Sequence, residues 1–264
     1  HCSSTSIQPC KGPFCTQVSR AMSDGSHRLS ELFEWLRLHG VEIGSVCVGS
    51  GDGSERGVFA TQPIARGDLL LAVPQSLMFV PTLSHASLSE GSSASSEAIE
   101  DALCVALIRE RTLGDSSHWD PWLRTLPTPE QQLGPLLWSE QELEQLQCPH
   151  LRSQLRREAA ALERCLQRLA PQLTAEMGAQ STRADLASNL AWAFNTVQSR
   201  AAHCPEAVGG MALVPLGDMF NHEASERASE ARWDEEGASY RYCASVDIAQ
   251  GEEVRIEKPG AKER

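Results

Sequence analysis

Between Val214 and His222 the chain reads VPLGDMFNH, where a carboxylate, an amide and an imidazole crowd an otherwise apolar segment. Asn221 can accept and donate at once, and His222 can bond through its ring or its backbone. A polar ligand would find partners there. The plainer alternative is a buried strand ending in a capped turn, with Asn221 and His222 bonded to nearby backbone. His222-Glu223 begins like the zinc-protease helix motif, but Glu226 stands where the second histidine would be, and the pair sits in a turn. Gly53 and Gly57 bracket Ser54, Glu55 and Arg56 in a turn that lets backbone approach a ligand closely. A phosphate loop is excluded by the glycine spacing and by the strand, rather than helix, that follows. A simple surface turn stays open. Arg200 closes a helical pattern, a position where a cation often bonds the last carbonyls.

The elements that must position these residues follow from periodicity. Leu29, Leu32, Phe33 and Leu36 predict an opening helix over 26–39 that stops at Gly40. Short β-like runs follow at 46–48, 58–61 and 69–73. Beyond a serine-rich stretch at 84–96, helices dominate to about residue 199. Ile99, Leu103, Ala106 and Leu107 define one face, and Ser139 with Glu142 reads as a capping box. Leu151, Leu155, Leu162, Leu166 and Leu169 stripe a longer helix that Pro171 is expected to end. Leu186, Leu190, Phe194 and Val197 predict a helix leading to Arg200. β-like segments return at 211–216, 239–247 and 253–256. The plan is β, α, β.

The 264 residues suit one large domain or two small ones. Thirty-five acidic residues against 23 lysines and arginines leave a formal charge of −12, which disfavours a nonspecific grip on nucleic acid. A basic protein or peptide is the better partner. Nine cysteines scattered without paired spacing fit reduced thiols in an intracellular protein, and no close Cys/His pairs suggest a metal. No apolar run is long enough to span a membrane. The first 23 residues lack acids and carry Ser, Thr and a few basic groups, a composition shared by transit peptides and disordered leaders, so cytoplasm, nucleus and plastid all stay open.

Three blocks in order carry a resemblance: GSERGVFA at 53–60 with the strand LLLAVP at 69–74, LAWAFNTVQSR at 190–200, and VPLGDMFNH at 214–222. SSHWDPWLRTLP at 116–127 and LLWSEQELEQL at 136–146 fill the middle. Together they resemble the SET-domain protein methyltransferases, in the branch similar to the Rubisco large-subunit lysine methyltransferase. The likeness runs from about residue 29 to the end. It implies an α+β fold, a β-rich SET fold split by a helical insertion. The expected divisions are a leader at 1–25, the first part of the SET domain at 26–95, the insertion at 96–182 and the second part at 183–264.

The resemblance further implies S-adenosyl-L-methionine as cofactor. Cofactor-binding residues would be Ser54, Glu55, Arg56, Arg200, Asp218, Met219, Phe220, Asn221 and His222, with backbone at Ser54 and Arg56 on the donor's amino-acid end. SET enzymes line the lysine channel with tyrosines, and here Tyr240 and Tyr242 share one strand face; Tyr240 is the candidate substrate contact, and a cross-strand aromatic pair is the rival reading. The family's principal catalytic tyrosine lies in a Tyr-Gly-Phe motif beyond Gly-Glu-Glu. The match continues through GEEVRIEKPGAK and the sequence stops at Arg264, so a fragment of a longer enzyme is expected and the catalytic residue is unassigned. The implied activity is lysine N-methylation of a non-histone protein by a monomer. Histidine methylation, or a catalytically inactive SET-like module binding a protein partner, are the alternatives.

Overall fold

The computed structural model describes residues 23–50, 56–80, 95–132, 135 and 138–257. Helix α1 spans Ser23–Leu38 and buries Leu32 and Leu36 completely. It ends where Gly40 takes φ +81°, a conformation that L side chains rarely adopt. Strands β1 (Glu42–Ile43), β2 (Val46–Ser50), β3 (Arg56–Ala60) and β4 (Leu69–Pro74) follow. The helices are α2 (Ser96–Leu113), α3 (Asp120–Leu123), α4 (Glu140–Glu144), α5 (Pro149–Met177) and α6 (Arg183–Arg200). Strands β5 (Ala201–His203), β6 (Met211–Leu213), β7 (Asn221–His222), β8 (Glu230–Asp234), β9 (Ser239–Cys243) and β10 (Glu253–Ile256) come last. The fold class is α+β, as the sequence implies.

One sheet runs β2-β3-β10-β7, a second β1-β4-β9-β8, and β5 pairs with β6, whose Leu213 also bridges Phe79. β2 and β3 form an antiparallel hairpin from Val46↔Ala60 to Ser50↔Arg56. β10 lies antiparallel to β3 and parallel to β7, with Arg255 opposite Asn221. The chain divides into two compact units: His1–Ala72 with Met219–Ala231 and Arg241–Arg264, and Val73–Asp218 with Arg232–Tyr240. The first holds the β2-β3-β10-β7 sheet. In the second, α2, α5 and α6 pack on one another.

Helix α2 starts at Ser95, whose hydroxyl accepts from the Ala98 N–H, and buries Leu103, Cys104, Leu107 and Ile108. Arg168 of α5 reaches Asp101 and Glu97 of α2, tying the two helices together. The Ser139–Glu142 capping box is present as expected. A second box, Thr182 with Asp185, opens α6 and escapes the hydrophobic pattern.

Two expectations need correction. Pro171 does not end α5, which continues to Met177. A helix-interior proline costs about 3 kcal/mol. Pro171 itself faces solvent while Leu169 and Leu173 on either side are buried, so core packing offsets that loss. Leu151 does not join the buried stripe: it is 39% exposed, and the stripe begins at Leu155.

Candidate functional site

The β7–β10–β3 arrangement concentrates polar groups around Asn221. Its Nδ2 donates to the Arg56 carbonyl at 3.1 Å and to Glu253 Oε1 at 2.7 Å. Both partners only accept, so the amide has one satisfactory orientation. Its Oδ1 is the group left to offer. On the far side of the carboxylate, Glu253 Oε2 accepts from Arg255 Nε at 3.0 Å and Nη2 at 2.7 Å. Residues 253 and 255 share a face of β10 because side chains alternate along a strand. Gly57 makes room for this cluster. A Cβ there would lie 2.5 Å from Glu253 Oε1 and 3.0 Å from Asn221 Nδ2.

The glycine-bearing hairpin and the Asn-His segment are thus bonded together. Ser54 and Glu55 lie outside the described residues. Arg56 contributes its carbonyl. Glu253, Arg255 and the reason for Gly57 escape the sequence reading, in which the Gly-Glu-Glu run at 251–253 is the available signal.

The second unit holds a different polar pair. Arg200, the last residue of α6, donates through Nη1 to the Asp218 carbonyl at 2.8 Å and to Asp218 Oδ2 at 3.3 Å. The Asp218 side chain is fully buried and that of Arg200 is 18% exposed. Arg200 therefore clamps the loop after β6 rather than capping its own helix. Two buried atoms of this pair, Arg200 Nε and Asp218 Oδ1, have no hydrogen-bond partner among the described residues. An orphaned donor and an orphaned acceptor in one buried ion pair are costly unless something else satisfies them. Nearby, Leu216 is buried with φ +67°, a left-handed backbone that is strained for a leucine.

The remaining candidates divide by burial. Met219 and Phe220 are 3% and 4% exposed, and Phe220 stacks on Tyr242 with ring centroids 5.1 Å apart and planes 10° apart. Both are part of the core. His222 is exposed at the end of β7. Tyr240 and Tyr242 are each 2% exposed, consistent with their shared strand face. Burial pushes the Tyr240 hydroxyl up to about 12, with a smaller push from the charge of Cys204. Among the described residues no group of three or more His, Cys, Asp or Glu side chains could hold a metal.

Comparison with known proteins agrees with this architecture. The family model described as SET domain matches residues 55–257. The Ribulose-1,5 bisphosphate carboxylase/oxygenase large subunit N-methyltransferase of Pisum sativum, chloroplastic, is 26% identical over 245 residues, covering 88% of this chain and 48% of the relative. The chloroplastic [Fructose-bisphosphate aldolase]-lysine N-methyltransferase of Arabidopsis thaliana is also 26% identical, over 91% of this chain and 50% of its own length. The chain spans about half the length of these curated relatives. The crystal structure of the SET domain of LSMT bound to lysine and AdoHcy superposes with a TM-score of 0.67 at 23% identity, over 89% of this chain and 54% of that one. The fold is shared, and the family match extends over well more than half of the sequence. The chain belongs to the SET-domain family.

Proposed function

We propose that this chain is the donor-binding part of an S-adenosylmethionine-dependent protein-lysine N-methyltransferase acting on a non-histone protein. The observation that carries the reading is the fixed amide of Asn221, whose two N–H groups are committed to protein acceptors, leaving an oxygen for an ammonium. The Arg56 backbone, which bonds the same amide, lies beside it. These residues fit the cofactor's amino-acid end, with Asn221 holding the ammonium through Oδ1. The relatives' names, which specify N-methyltransferases of Rubisco and of an aldolase lysine, point the same way.

S-adenosylmethionine supplies a methyl group on a sulfonium sulfur, which a neutral amine can displace in line. The protein's share is to hold the reacting groups in line and exclude water. A lysine amine, with an ordinary pKa of about 10.4, must lose its proton before it attacks. The acidic balance of the chain, 35 acidic against 23 basic residues, suits a basic protein segment as substrate.

A second reading keeps donor binding without catalysis, as a SET-like module for a protein partner. The burial of both tyrosines favours it, since neither presents an accessible hydroxyl. Calorimetry with S-adenosylhomocysteine tests donor binding in either case. Incubation with a labelled methyl donor and unmodified chloroplast or cytosolic protein extract tests the step itself: label on lysine supports the enzyme and overturns the module. Absence of binding would overturn both.

A further inference from the structure

We infer that Glu253 is a positioning residue that sets the orientation of the Asn221 amide and thereby makes the site selective for a donor bearing a free α-ammonium group. The inference rests on the reading of Asn221 as a donor-binding residue and extends it to a residue that need not touch the ligand.

Hydrogen-bond polarity decides which way the amide points. An asparagine amide can rotate by half a turn at almost no steric cost, exchanging an acceptor for a donor. At Asn221 the Arg56 carbonyl sets one preference through a neutral bond of 3.1 Å. The Glu253 carboxylate sets the stronger one through a bond of 2.7 Å, charge-assisted on the acceptor side. Glu253 is itself held, because Arg255 engages its other oxygen with two N–H groups. Arg255, Glu253 and Asn221 thus form a chain in which each member leaves the next only one orientation. Its end product is an oxygen at Asn221 that attracts a cation and would repel a second acceptor.

The substitution Glu253→Gln reverses that logic with almost no change of shape. Arg255 requires an acceptor, so the oxygen of the new amide turns toward it and the new amino group faces Asn221 Nδ2. Donor then opposes donor. The Asn221 amide relieves the conflict by rotating, which places N–H where the ligand's ammonium would sit.

The test compares two probes by calorimetry on the 264-residue chain: S-adenosylhomocysteine and its analogue with the α-amino group replaced by hydrogen. The original chain is expected to prefer the amine-bearing probe by about tenfold or more, the scale of one charge-assisted hydrogen bond. In Glu253→Gln the preference collapses to within about twofold, through loss of affinity for the amine-bearing probe alone. Arg255→Ala, at a half-exposed position, keeps the carboxylate but frees it, and should lose part of the preference while still unfolding cooperatively, at a midpoint lowered only by the loss of its bonds to Glu253. A merely structural role for Glu253 would weaken both probes equally. Retention of the original preference in Glu253→Gln overturns the inference while leaving donor binding intact. Failure of the original chain to bind either probe overturns the donor reading and this inference with it.

Discussion

Replacing Gly57 by alanine puts a methyl group 2.5 Å from Glu253 Oε1 and 3.3 Å from its Cδ. Because the carboxylate ends a rotatable side chain, the collision itself is avoidable. The cost lies in what must be released, since Glu253 cannot swing away without stretching its 2.7 Å bonds to Asn221 and to Arg255 Nη2. Losing one hydrogen bond to a charged group costs about 1.5–3 kcal/mol. Against this, alanine in a strand interior gains roughly 0.5–1 kcal/mol over glycine. The net is a destabilisation of about 0.5–2.5 kcal/mol, or a fall in Tm of roughly 1–10 °C for a chain of this size. Urea titration and thermal unfolding of the two chains read the stability. Calorimetry with S-adenosylhomocysteine reads the site, where a weakening of at least about tenfold is expected because the freed Asn221 amide loses its fixed orientation. An alanine variant that is neutral or more stable, and that binds the product as well as the original, would refute the close-packed cluster.

Arg200→Met should be among the most damaging single changes in the second unit, because it leaves the fully buried Asp218 carboxylate without its cation, at a cost of about 3–5 kcal/mol; a denaturant midpoint close to that of the original chain would contradict it. Ser139→Ala and Thr182→Ala each remove one arm of a capping box and should each cost about 1 kcal/mol by urea titration, additively, since they cap different helices. Alkaline titration should also destabilise the fold. Burial holds the Tyr240 hydroxyl protonated up to about 12 against an ordinary value of 10, so its contribution is whole below pH 10 and is lost as pH rises toward 12, in total about 2–3 kcal/mol. Burial likewise pushes the Cys204 thiol up to about 11, opposed in part by the Gly210 N–H, so its loss begins near pH 9. Unfolding followed by circular dichroism from pH 8 to 12 should show this decline, and Tyr240→Phe should flatten its upper part.

Periodicity locates the strands and helices that rest on apolar patterning, including the hairpin strands, α1 and α6. It misses what depends on pairing rather than pattern. Strands β1 and β7 are two residues long, too short for any alternation to register, and they exist because β4 and β10 supply their hydrogen bonds. Pro171 misleads because local propensity says nothing of the packing that buries Leu173 two residues later. Residue types and the family resemblance together single out Arg56 and Asn221 in one unit and Arg200 and Asp218 in the other. They do not show that Arg200 bonds the backbone of Asp218, nor that Glu253 holds Asn221, since the latter pair is 32 residues apart and joined only by the parallel register of β7 and β10. Met219 and Phe220 enter the candidate site only through their neighbours in sequence. Both are nearly completely buried.

Whether Asn221 offers an oxygen to the ammonium of an adenosyl amino-acid donor is tested most directly by isothermal calorimetry, titrating S-adenosylhomocysteine into the original chain and into Asn221→Ala. Saturable one-to-one binding by the original chain, with loss of measurable heat in a variant that still unfolds cooperatively well above the titration temperature, is the predicted result. Equal affinity in the two chains, or no binding by either, would contradict it.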